Sequence, residues 1–265
     1  MFNFIRNWLD QRVIQRSTIT AAQWQRAFGS LPLLNGLSES DQYKLQNLAI
    51  LFLHHKAFEG AQGFVVTQSM ALTIALQACL PILKLGFARY SGWVSIIVYP
   101  SGFTPIRTIT DEAGVEHRQK THLSGESWQR GPVVLAWDEA AQAGMIDGQN
   151  LVIHEFAHKL DMQNGVANGF PPLHKEMKTD AWVEAFTTGY EDFQDKCERG
   201  IGIGIDCYAA TSPAEFFAVL SEVFFEHPEV VLQHYAAIYQ LLVQFYRQDP
   251  LVRLSSIKLS SVELV

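Results

Sequence analysis

From Asp41 to Leu53 apolar residues recur at helical spacing, with Leu45, Leu48, Ala49 and Phe52 on one stripe and Ser38 or Ser40 where an N-cap belongs. Met70 to Leu80 has the same period and ends before Pro81. The pattern then changes. Trp93 to Tyr99 is rich in β-branched and aromatic residues and stops at Pro100, so it predicts a strand, and Gly131 to Trp137 predicts another. The polar interval between them, including Asp111 to Lys120, reads as a hairpin or loop. Beyond Asn150 the period is helical almost throughout, apart from a loop at Gly200-Ile201-Gly202-Ile203-Gly204. Helices, then a small sheet, then helices again make an α+β chain rather than an alternating βαβ one. No Pro/Gly/Ser linker divides it. The expected organisation is a single domain over 1–265, with a helical N-terminal portion, 1–90, packed on a catalytic core, 91–265.

Composition narrows the class. The chain has 265 residues, 48% of them hydrophobic and 18% charged, with a formal net charge of −7. That is enough chain for a sizeable core, and the acidic balance argues against a phosphate backbone or an anionic membrane as partner. The apolar run from Met70 to Phe87 is interrupted by Thr73, Gln77, Pro81 and Lys84, whereas a bilayer span needs about 20 largely apolar residues. The N-terminus interleaves Arg6, Asn7 and Asp10 with its apolar residues, unlike an export signal. Cys79, Cys197 and Cys207 form no disulfide framework and match no zinc-ribbon spacing, so reduced thiols and a cytoplasmic location are expected. The six tryptophans are spread along the chain as core anchors rather than gathered as a stacking platform, and no direct nucleic-acid binding is expected.

The residues that carry chemistry are His154-Glu155-Phe156-Ala157-His158. On a helix His154 and His158 lie one turn apart on one face, and both imidazoles can reach one ion. Glu155 projects about 100° away, where it can hold a water rather than the metal. With 9 histidines in 265 residues, the pattern arises by chance with a probability of about 0.02. A third ligand is required. No histidine follows at the spacing of the extended HExxH motifs, and His174 is too distant, which leaves a carboxylate from a later helix. Glu215, Glu222 and Glu226 share one stripe of the otherwise apolar run Ser212 to Glu226. By spacing alone Glu215 also fits the N3 position of a capping box begun by Ser212, and the later glutamates fit a solvated face. Asp161, one turn past His158, can either orient a ligand imidazole or lie on the helix surface.

The segments His154 to Asp161 and Tyr208 to Ala218 closely resemble the MtfA family (Mlc titration factor A), bacterial zinc peptidases whose catalytic core is like that of anthrax lethal factor. The likeness extends to Gly131 to Leu135 and to the tail Gln244 to Leu251. The resemblance implies a mainly helical, gluzincin-like zincin with a small mixed β-sheet. It also implies one Zn2+ per chain held by His154, His158 and Glu215, with Glu155 as general base. Tyr208, seven residues before Glu215, matches a phenol that donates to the oxyanion, and His117 matches a histidine that occupies the metal in a resting form. The implied activity is aminopeptidase-type hydrolysis of peptides, and the implied partner is the repressor Mlc. A positional reading lays the substrate against the strand Val133 to Trp137. No G-x-S-x-G elbow or P-loop occurs, and His54-His55 and the pair His227 and His234 lack companion ligands.

Overall fold

The computed structural model describes residues 2–102, 106–110, 116–120, 125–129 and 131–254, with side chains from residue 6 onward and outside 103–124. The N-terminal portion holds α1 (Phe2–Gln15), α2 (Ala21–Gly29), α3 (Glu39–His55), the short strand β1 (Ala57–Gly60) and α4 (Gln68–Cys79). Ser38 caps α3 by accepting from the Asp41 amide, and Thr67 caps α4 by accepting from Met70. There follow β2 (Ser95–Tyr99), β3 (Ile106–Thr110), β4 (Glu116–Lys120), β5 (Gly125–Ser127), β6 (Val133–Ala136) and the single turn α5 (Trp137–Ala140). The helical remainder comprises α6 (Leu151–Asp161), α7 (Thr179–Glu198), α8 (Pro213–Glu226), α9 (Pro228–His234) and α10 (Ala236–Tyr246). The chain is mainly helical α+β, as its pattern predicts.

The main sheet is mixed, in the order β1-β2-β6-β5, with β1, β2 and β6 parallel and β5 antiparallel to β6. β3 and β4 form a separate antiparallel hairpin. β6 is apolar at every position, Val133 to Ala136, and all four side chains are buried, as an interior strand covered on both faces requires. The substrate-binding strand expected at Val133 to Trp137 is therefore misplaced. β6 is paired on both sides, and the strand that ends the sheet beside it is β5.

One apolar core runs from Ala27 to Tyr246 and includes the sheet face that carries Ile96, Val98, Val133 and Leu135 and the buried stripes of α3, α4, α6, α8 and α10. α8 is buried along nearly its whole length and packs on α6. Glu222 and Glu226, 7% and 1% exposed, are thus core residues rather than a solvated face. Of the tryptophans, Trp93 and Trp182 are buried, but Trp8 and Trp128 are about half exposed, so not all are core anchors. The expectation of reduced thiols is also overturned for one pair. Gly200, at φ 68°, turns the chain back after α7 and brings Cys207 to Cys197, and the two are joined as a disulfide with Cα atoms 5.8 Å apart. Cys79 is free and buried. Among the described residues no helix is long and apolar enough to cross a membrane.

Candidate metal centre

α6 begins at Asn150, whose side-chain oxygen accepts from the Ile153 amide at 2.9 Å. Val152, Ile153, Phe156, Ala157 and Leu160 are fully buried or nearly so and fix the rotation of the helix about its axis. That rotation turns His154 and His158 toward α8. α8 starts at Ser212 with Pro213 in its first turn, and Ser212 accepts from the Glu215 amide at 3.2 Å. Only this half of the capping box is needed to explain the backbone. The Glu215 carboxylate instead reaches the two imidazoles, its Oε2 lying 3.0 Å from His154 Nε2 and 3.2 Å from His158 Nε2.

The two Nε2 atoms are themselves 3.2 Å apart. Three donors at these separations have the spacing of a tetrahedral face, since ligands about 2.0–2.1 Å from a first-row ion lie about 3.3 Å from one another. Among the described residues this is the one cluster of three or more His, Cys, Asp or Glu donors close enough to hold an ion. A second feature supports the fit. With Nε2 turned to an ion, each Nδ1 must carry a proton and find an acceptor. His154 Nδ1 has Glu222 Oε1 at 2.7 Å. His158 Nδ1 and Asp161 Oδ1 are the two buried side-chain polar atoms among the described residues that lack a hydrogen bond, and they lie one helical turn apart. Asp161 is fully buried, with Oδ2 accepting from the Asn168 and Gly169 amides at 2.7 Å, which removes the surface reading of this residue.

Glu155 lies on the adjacent face of α6 and is 4% exposed. Its Oε2 takes a hydrogen bond from the Ser127 hydroxyl at 2.6 Å, and its Oε1 lies over Gly125, where a Cβ would come within 2.3 Å of it. β5 approaches α6 this closely because residue 125 has no side chain. Burial pushes the Glu155 carboxyl above its usual range, against the pull of the two imidazoles and the Ser127 hydrogen bond. Burial would also raise Glu215, but hydrogen bonds from His154 and His158 hold it well below the carboxylate range. His154 moves the other way. Burial disfavours its charged form, yet the hydrogen bonds to Glu215 and Glu222 outweigh that and raise it. The site is a place where positive charge is welcome.

A cleft of about 330 Å³ opens beside these residues, lined by His154, Glu155, Gly125, Glu139, Asp206 and Tyr208. Tyr208 is half exposed, and its ring centroid lies 6.1 Å from that of His154. Asp206 caps the turn Cys207–Thr211 by accepting from the Tyr208 amide at 2.9 Å, which fixes the phenol at the rim. A larger cavity, about 790 Å³, lies between α7 and α10 and contains none of these residues. His117 falls on β4 opposite Ile109, but its side chain is outside the described residues. No pattern along the chain marks Ser127 or Gly125 as site residues. Glu222 was visible only as a member of the α8 stripe.

The family described as glucose-regulated metallo-peptidase M90 matches residues 5–247. Proteins named Mlc titration factor A from Yersinia pestis (strain Pestoides F) and Yersinia pseudotuberculosis serotype O:1b (strain IP 31758) are each 40% identical over 236 residues, covering 88% of this chain and 87% of theirs. The HExxH helix and its carboxylate partner thus sit in a chain that matches such proteins along most of its length, and it belongs to the M90 family of glucose-regulated metallo-peptidases, the family of Mlc titration factor A.

Proposed function

We propose that the chain is a zinc-dependent peptidase of aminopeptidase type. The observation that carries this reading is the convergence of His154 Nε2, His158 Nε2 and Glu215 Oε2 within 3.0–3.2 Å of one another, beside a buried glutamate one residue along the same helix. His154, His158 and Glu215 would hold one Zn2+. Zinc in a three-ligand site supplies Lewis acidity toward water and toward a peptide carbonyl.

The chain's own residues do the rest. Glu155 takes the proton of the attacking water and returns it to the leaving amine, and its raised affinity for protons suits that task. Ser127 and the close approach of Gly125 restrict the carboxylate to one orientation. Tyr208 stands at the rim to donate its phenolic proton to the developing oxyanion. β5, the strand that ends the sheet and touches Glu155, supplies the main-chain edge on which an extended peptide would lie. Glu139 and Asp206 place negative charge in the cleft, which suits the free ammonium of a peptide N-terminus.

The Glu155→Gln variant tests this reading. Hydrolysis of an aminoacyl anilide should fall by about 10²- to 10⁴-fold with zinc content unchanged, and undiminished turnover would refute the assigned base. The name of the relatives favours a second role, binding of the repressor Mlc, which we propose as separable from hydrolysis. On that view Glu155→Gln keeps repressor binding.

A further inference from the structure

Behind the candidate metal ligands lies a second set of buried polar groups that the proposed chemistry does not use. Glu222 sits two turns along α8 from Glu215, and its two carboxylate oxygens have different partners. Oε1 faces His154 Nδ1 at 2.7 Å, while Oε2 accepts from the backbone amide of Asn150. Glu226, one turn further on, also binds this corner of the fold. Its Oε1 accepts from the Asn150 side-chain amide and its Oε2 from the Gly148 backbone amide, both at 2.9 Å. The Asn150 amide group in addition lies 3.2 Å from Gln77 Oε1, on α4 of the N-terminal portion. Asn150, Gln77, Glu222 and Glu226 are all buried.

The division of labour within this network is uneven. Both glutamates fasten α8 to the start of α6, but only Glu222 touches an imidazole of the metal cluster. Because Asn150 also caps α6, the same residue that sets where the helix begins holds the carboxylate that faces the first histidine of the helix. A carboxylate fixed in this way accepts from Nδ1–H, which leaves the Nε2 lone pair free for a cation shared with Glu215, whose Oε2 lies 3.0 Å away. Resting on the zinc reading above, we propose that Glu222 is a positioning residue: held by Asn150, it keeps His154 in the tautomer and rotamer that present Nε2 to the metal. Glu226 serves the same network as a structural member alone.

The test compares Glu222→Gln with Glu226→Gln, using zinc alone as the probe in competition with a chromogenic chelator. Each variant replaces one acceptor by a donor at the same corner, so each should lower the melting temperature of the metal-free protein. Glu222→Gln should also weaken zinc binding by about 10- to 100-fold and change the visible spectrum of the cobalt-substituted protein. Glu226→Gln should bind zinc within about twofold of the wild type, well short of the loss expected when a ligand's hydrogen-bond partner is removed. Unchanged zinc affinity in Glu222→Gln, or an equal loss in both variants, overturns the proposal. Should Glu222→Gln fail to fold, long-range ¹H–¹⁵N spectra of the zinc-loaded wild type decide. A protected Nδ1–H on His154 supports it, and an unprotonated or metal-bound Nδ1 refutes it. A wild type that binds no zinc would overturn the zinc reading itself, an outcome distinct from either of these.

Discussion

His158 and Lys159 are consecutive and both buried, yet they belong to two polar clusters built on opposite principles. Around His154 and His158 stand three carboxylates, Glu155, Glu215 and Glu222, and the cluster has room for added positive charge. Lys159 points elsewhere. Its Nζ lies 4.6 Å from the Trp93 ring centroid and donates to the Gly131 carbonyl at 3.0 Å. On the same tryptophan, 3.5 Å from the ring, sits Lys56 Nζ, which donates to the carbonyls of Tyr90 and Trp93 at 2.6 and 2.7 Å. The second cluster answers charge with carbonyl dipoles and a π face. A buried charge must be paired, hydrogen-bonded or neutralised. The lysines respond by giving up protons more readily, burial lowering Lys56 to about 7 and Lys159 to about 8. The acidic cluster responds by attracting a proton or a dication.

That contrast can be broken from the lysine side. Trp93 is buried against Phe52, Tyr90 and Phe156, with ring centroids 5.7–6.4 Å away, so Trp93→Ala removes both core volume and the π face. Stability of the metal-free protein should fall by about 3–5 kcal/mol in denaturant titration, with zinc affinity of the folded fraction unchanged. A parallel loss of affinity would show that the two clusters are not independent.

A smaller effect sharpens the comparison through pH. In the folded chain Lys56 loses its proton near pH 7, while in the unfolded chain it keeps it to about pH 10.5. Between those values unfolding takes up a proton, so the Lys56 contribution to stability rises with pH; below about pH 7 it is flat. Lys56→Met should flatten the rise in melting temperature between pH 7 and 9 relative to the wild type. An identical pH dependence in the two proteins would contradict the neutral form assigned to Lys56.

The two clusters also differ in how far the sequence reveals them. The HExxH spacing is set by one helical turn, and that local geometry survives translation into structure, as do the strands at β2 and β6 and the capped helices α3 and α4. The third donor was only half legible. By spacing alone Glu215 was the best candidate of three glutamates on a stripe, and the family resemblance was needed to make it the firm choice, because no local rule tells which of them meets α6. Ser127 and Gly125 come from a three-residue strand too short to leave a period, and β1 escaped for the same reason. Lys56, Trp93 and Lys159 are far apart in the chain, and nothing in their spacing announces that two lysines share one ring. The disulfide depended on a turn at Gly200 that brings Cys207 back to Cys197.

The central claim is that His154, His158 and Glu215 together hold one divalent cation. Elemental analysis of the purified wild-type chain and of Glu215→Ala, both dialysed against trace zinc, tests it directly. The account predicts about one zinc per wild-type chain and a large loss in the variant, since a structural cap alone would leave the metal in place. Zinc held equally by both proteins, or by neither, would contradict it.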